Sequence, residues 1–169
     1  MQTSHPFSII VWLLLTRRRL RTDVNNIMID RNVNSGMLKL LNFVQLNLKH
    51  SEAASYNLLA FLLQSKIHIA LIQEPWVNDR TVKGLDHVDY ELFYHVDTNS
   101  TNNPRSCILA HKSLNVLMLS NFSDADTTVV KIESVGEVIT VISSYFDRNL
   151  AIPTESVNQC ASYTKGNLL

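Results

Sequence analysis

Lys66 to Trp76 reads KIHIALIQEPW. Ile67, Ile69, Leu71 and Ile72, set around Ala70, form a short β-branched apolar run, the pattern of a strand buried on both faces. Pro75, which has no N–H to donate, stops it. The run therefore closes on a carboxylate, Glu74. A carboxylate at the end of a buried strand is held at the rim of a sheet, where a ligand or metal can meet it. The plainer alternative is a charged residue that ends the strand in solvent.

Working backward, Leu38 to Leu48, LKLLNFVQLNL, is a strand-length apolar run whose polar end is marked by Asn47, Lys49 and His50. Ser51 is an N-cap candidate, and Ala54, Leu58, Phe61 and Leu62 follow at helical spacing up to about Lys66. Strand, helix and strand with short joints make a right-handed crossover, so the two strands run parallel. Their carboxyl ends share one sheet edge, which makes Asn47 and Glu74 neighbours.

Working forward, Tyr90 to Val96 is an edge-strand candidate and Asp97 to Pro104, DTNSTNNP, a loop. Ser106 to Ala110, Val116 to Leu119 and Thr127 to Glu133 read as strands. Val138 to Phe146 should pair antiparallel with the last of these across Val135, Gly136 and Glu137. From Pro153 to Gly166 the pattern is that of a helix with Pro153 near N1. Leu168 and Leu169 then open a segment where another strand is expected.

The 169 residues, 46% hydrophobic and 18% charged, suit one globular domain. Charge is uneven along them. Residues 1–36 hold Arg17, Arg18, Arg19, Arg21 and Arg31 against Asp23 and Asp30, while residues 37–169 carry 10 basic and 13 acidic residues. Such a body has no basic stripe for nucleic acid, so a phosphate-bearing partner requires a metal ion or local cations. Cys107 and Cys160 show neither zinc-ligand spacing nor a disulfide framework. An intracellular setting, nuclear or cytoplasmic and not secretory, is the expectation. Phe7 to Leu15, FSIIVWLLL, is too short for a membrane-spanning helix, which needs about 20 residues. Residues 1–36 are expected to be a poorly ordered extension outside a domain of residues 37–169, with no membrane partner.

Taken together, QLNLKHSEAA (Gln45 to Ala54), IALIQEPW (Ile69 to Trp76) and VISSYFDRN (Val141 to Asn149) resemble, in order and spacing, the amino-terminal half of the endonuclease/exonuclease/phosphatase superfamily. The likeness is nearest to the apurinic-type endonuclease domain of insect non-LTR retrotransposons, and it covers about Leu38 to Leu169. It implies an α/β class, a DNase I-like four-layered α/β sandwich present here only in part. Within it Asn47 looks like the asparagine that orients the metal and its network, Glu74 like the metal-binding glutamate, and Tyr145 like the tyrosine that contacts the scissile phosphate. Arg105 falls where relatives carry a polar residue near the DNA channel. Trp76 either stacks on a base or covers the sheet edge, and packing is the favoured reading.

The implied chemistry is phosphodiester hydrolysis, with Mg²⁺ (or Mn²⁺) on Glu74 neutralising the phosphate and the Tyr145 phenol donating to a phosphate oxygen without adding charge. The family's later elements are an Asp-x-Asn motif on the next strand, a second aspartate and a Ser-Asp-His triplet, and no counterpart of these is read here. The expectation is a truncated endonuclease, inactive alone, whose partners are DNA, the rest of its own domain and a reverse transcriptase. Half of a two-sheet sandwich is expected to expose an apolar inner face. A vestigial non-catalytic binding module, or a fragment of an inositol or lipid phosphatase, is the alternative.

Overall fold

A computed structural model describes residues 7–15, 28–29, 41–98, 101–134, 137–145 and 159. In chain order the elements are β1 (Phe7–Leu15), β2 (Met28–Ile29), β3 (Phe43–Asn47), α1 (Glu52–Ser65), β4 (Ile69–Gln73), β5 (Val77–Asn78), β6 (Thr81–Val82), β7 (Tyr90–Phe93), β8 (Ser106–His111), β9 (Asn115–Met118), β10 (Thr127–Ser134) and β11 (Glu137–Tyr145). One sheet has the order β3-β4-β8-β7 and a second the order β2-β1-β11-β10-β9, while β5 and β6 form a small hairpin of their own.

The opening β3-α1-β4 unit is the expected crossover. Ser51 holds the helix start, its hydroxyl oxygen accepting from Ala54 N at 3.2 Å, and Lys66 ends it in a left-handed conformation with its N–H on Leu62 O. β3 and β4 run parallel, Phe43 opposite Ile69 and Asn47 opposite Gln73. α1 lays Leu58 and Leu62 on the outer face of this sheet, against Ala70, Ile72, Cys107 and Leu109. The buried stripe is completed by Ser55, whose hydroxyl donates to Ser51 O at 3.1 Å. Phe61, placed on that face by its spacing, is instead exposed, because it lies roughly 100° round the helix from Leu62.

The inner faces of the two sheets cover each other. Phe43, Ile69, Leu71, Phe93, Ile108 and Ala110 from the first pack on Val130, Ile132, Ile139 and Val141 from the second. The expectation of an exposed inner face is thus corrected: this chain supplies strands to both sheets, and their inner faces form a closed core. Every β4 residue is buried, between helix on one side and second sheet on the other.

β10 and β11 pair antiparallel from Thr127 opposite Ser144 to Ser134 opposite Glu137, as the hairpin reading required. The turn itself, Val135 and Gly136, and the helix expected from Pro153 lie outside the described residues. The reading of residues 1–36 as lying outside the domain is corrected for two segments. Phe7–Leu15 runs parallel to β11, Phe7 opposite Glu137 and Leu15 opposite Tyr145, and Met28–Ile29 pairs antiparallel with it. The physical reason is that a nine-residue apolar run has the length and composition to add to a sheet edge. Among the described residues no helix is long and apolar enough to cross a membrane.

The packing of α1 generates a stability prediction. Leu62 is fully buried, so Leu62→Ala should cost about 2–5 kcal/mol. Urea unfolding followed by circular dichroism measures it, and a loss below about 1 kcal/mol would show that the helix is not docked on β4 and β8.

Candidate active site at the strand carboxyl edge

β3 and β4 end side by side, and their pairing continues into the segments that follow. Leu48 N donates to Gln73 O at 2.9 Å, and His50 N to Glu74 O at 2.8 Å. On its other side Glu74 N donates to Arg105 O at 2.8 Å. Glu74 is therefore tied by its own backbone to the joint before α1 and to the start of β8. The structure brings Asn47 and Glu74 to one rim.

That rim is conformationally costly. Glu74 has φ +47°, and Lys49 and His50 have φ +51° and +57°. A left-handed conformation costs a residue with a Cβ roughly 1–2 kcal/mol, and such residues cluster where surrounding structure overrides local preference. Glu74 is also buried, with 9% of its surface exposed. It is not a carboxylate waving in solvent from a strand end. Asn47 turns its side chain back, Oδ1 accepting from Lys49 N at 2.8 Å. This Asx turn helps hold the left-handed pair that follows. His50 Nδ1 lies 3.1 Å from Pro75 O. A carbonyl can only accept, so this bond fixes a proton on Nδ1.

The second sheet delivers Tyr145 to the same edge at the end of β11. Tyr145 N donates to Asp126 O at 2.7 Å, and the Arg105 guanidinium carbon lies 4.7 Å from the centre of the Tyr145 ring. Arg105 Nε and Nη2 donate to the two carboxylate oxygens of Asp126, each at 2.5 Å. Arg105, expected beside a DNA channel, thus reaches across the rim to a carboxylate and an aromatic ring.

Beneath the rim a polar seam joins the sheets. Gln73 Nε2 donates to Ser143 Oγ at 3.2 Å, Ser106 Oγ donates to Ser143 O at 2.7 Å, and Thr128 Oγ1 donates to Ser106 O at 3.1 Å. All four side chains are buried. Motif spacing missed Asp126 and these seam residues, because a single serine or aspartate in a strand pattern carries no spacing signal. The letters Asp147-Arg148-Asn149 do spell Asp-x-Asn, directly after the third motif instead of on a further strand, and they lie outside the described residues.

Trp76 takes the packing role. Its ring centre is 6.4 Å from that of Tyr56 on α1, and a Cβ added to Gly84 would stand 3.1 Å from its Cε3. Gly84 has φ +72°, so the close approach and the backbone conformation both call for glycine. The β5-β6 hairpin that follows was not foreseen. Its two-residue turn, Asp79 and Arg80, has φ +48° and +55°, the pattern of a type I′ turn, built without the Asn-Gly pair that usually announces one.

A carboxylate such as that of Glu74 is the donor type taken by a hard cation that keeps most of its water and binds one or two carboxylates. Among the described residues no cluster of three His, Cys, Asp or Glu side chains forms a closed metal cage.

The structure is similar to the endonuclease domain of TRAS1, a telomere-specific non-LTR retrotransposon, with a TM-score of 0.58 and 22% identity over 72% of this chain and 52% of that one. The fold is DNase I-like. The chain spans about half the length of the domain it matches. No protein-family model and no curated protein sequence matches it.

The left-handed backbone at Glu74 yields a second prediction. Glu74→Gly should be more stable than Glu74→Ala by about 1 kcal/mol, since only glycine accepts φ +47° without penalty. Thermal unfolding of the two variants decides it; equal midpoints would mean that residue 74 is not held in the left-handed region.

Proposed function

We propose that this chain is the amino-terminal half of a metal-dependent DNA endonuclease domain of the retrotransposon type. The observation that carries the reading is Glu74, a buried carboxylate fixed in a left-handed conformation at the rim, with Tyr145 delivered to the same edge from the opposite sheet. In this reading Glu74 supplies an anionic oxygen to Mg²⁺ or Mn²⁺, which when bound neutralises charge on the phosphate. Asn47 holds the turn beside it, and the Tyr145 hydroxyl donates to a phosphate oxygen. DNA is the substrate, and the rest of the endonuclease domain and a reverse transcriptase are the partners.

The roles assigned to Glu74, Asn47 and Tyr145 leave the activation of water to other groups. A missing positioned base costs about 10²- to 10⁴-fold and missing metal ligands weaken the hold on the ion, so the chain alone is expected to bind Mg²⁺ weakly and to leave DNA intact.

Two measurements test this. Mn²⁺ should broaden the amide resonances of residues 47–50, Gln73, Glu74 and Trp76 in the nuclear magnetic resonance spectrum of the chain, and Glu74→Gln should abolish the effect; unbroadened resonances at millimolar Mn²⁺ would remove the metal-site reading. Supercoiled plasmid in Mg²⁺ should stay intact with the chain alone and be nicked once the chain is extended by the other half of such a domain. Nicking by the 169-residue chain that disappears in Glu74→Ala would show that a complete site already exists within it.

A further inference from the structure

Arg105 stands where the two sheets meet at the rim, and its parts do different things. Its backbone carbonyl accepts from Glu74 N at 2.8 Å, and its own N–H donates to Ala125 O at 2.6 Å. Its guanidinium forks onto both oxygens of Asp126 and lies 4.7 Å from the centre of the Tyr145 ring. Asp126 is itself fixed. Its N–H donates to Asp124 Oδ1 at 2.8 Å, and its carbonyl accepts from Tyr145 N at 2.7 Å. One residue therefore bonds to the peptide of Glu74 from the first sheet and lies against the ring of Tyr145 from the second.

We propose that Arg105, locked onto Asp126, is a positioning residue that sets the Tyr145 phenol against Glu74, and not a direct phosphate contact. The inference rests on the endonuclease reading of the site, in which Tyr145 must meet a phosphate held at Glu74. Its chemistry requires arginine. A planar guanidinium can fork onto a carboxylate along its edge and present its face to an aromatic ring at the same time, which an ammonium cannot do. An arginine meant for DNA phosphate would gain nothing from a carboxylate in fork geometry, since that partner competes for the same donors. The ion pair is about one-third exposed, 36% for the Arg105 side chain and 30% for Asp126. A pair so exposed contributes little to folding, so its consequence is geometric.

The test is made on the full chain without metal or DNA, with tyrosines carrying ring ¹³C labels and Tyr145→Phe to assign the Tyr145 signal. Arg105→Lys keeps the charge and both backbone hydrogen bonds but loses the fork and the stacked face. It should shift the Tyr145 ring resonance and raise the rate of Tyr145 nitration by tetranitromethane about two- to fivefold, the size of an exposed cation–π contact. Asp126→Asn should do the same, and the double variant should add nothing further. A Tyr145 resonance and nitration rate unchanged in Arg105→Lys would overturn the proposal, whatever the change in unfolding midpoint. So would the signature of a phosphate contact, in which Arg105→Ala lowers the salt dependence of DNA binding by about one unit while the Tyr145 signal stays in place. Because the ring readout needs no cation, its failure is separate from a failure of Mn²⁺ to bind at Glu74.

Discussion

The backbone of one residue holds the rim together. Glu74 donates to Arg105 on β8's side and accepts from His50 on the side of the α1 joint. Both bonds are made with the residue outside the extended region, at φ +47°. A peptide buried at a strand end must find partners for its N–H and C=O or lose about 1–3 kcal/mol for each group left unpaired. The roughly 1–2 kcal/mol of left-handed strain is thus offset by two well-made hydrogen bonds. The carboxylate is aimed by this balance and not by a loop free to move it.

The strain is sustainable because β4 is fixed before it reaches Glu74. Ile69 to Gln73 are buried on both faces, so a shift by one residue would drive Ile69 and Leu71 out of the inter-sheet core and Ala70 and Ile72 out from under α1. The polar seam adds a second constraint. Gln73, Ser106, Thr128 and Ser143 bond across the gap between sheets at buried positions where the partners are directional. An apolar core tolerates sliding of one sheet on another more readily than such a seam does. The ends of β4, β8 and β11 are therefore locked in relative height, and Glu74, Arg105 and Tyr145 arrive together.

Much of this was legible in the sequence because burial writes a strong periodic signal. The run KIHIALIQE, the Ser51 cap and the apolar spacing of α1 each follow from local chemistry, and the parallel pairing of β3 with β4 follows from their short joints. What escaped lies where tertiary contacts override local preference. Asp79 and Arg80 make a tight turn without glycine, and Phe61 faces solvent although an apolar residue at that spacing reads as core. The partnership of Arg105 with Asp126 spans 21 residues and two sheets, and no pattern along the chain encodes it. Phe7–Leu15 failed as a reading for another reason: an apolar run followed by arginines looks like a tail, yet its backbone groups find a ladder on β11.

The electrostatics of the rim give the arrangement its chemical direction. Residues 37–169 carry more acidic than basic residues, and Arg105, whose carbonyl accepts from Glu74 N, has its charge offset by Asp126. A phosphodiester and a carboxylate are both anionic, and two like charges about 4 Å apart at a protein surface repel by roughly 4 kcal/mol. A divalent cation reverses the sign of that interaction, because it turns the carboxylate from a repulsive neighbour into an anchor. The pairing of Arg105 with Asp126 and the burial of Glu74 are therefore parts of one design. In the endonuclease reading proposed above, an edge whose arginine is paired with Asp126 leaves the phosphate to a metal ion.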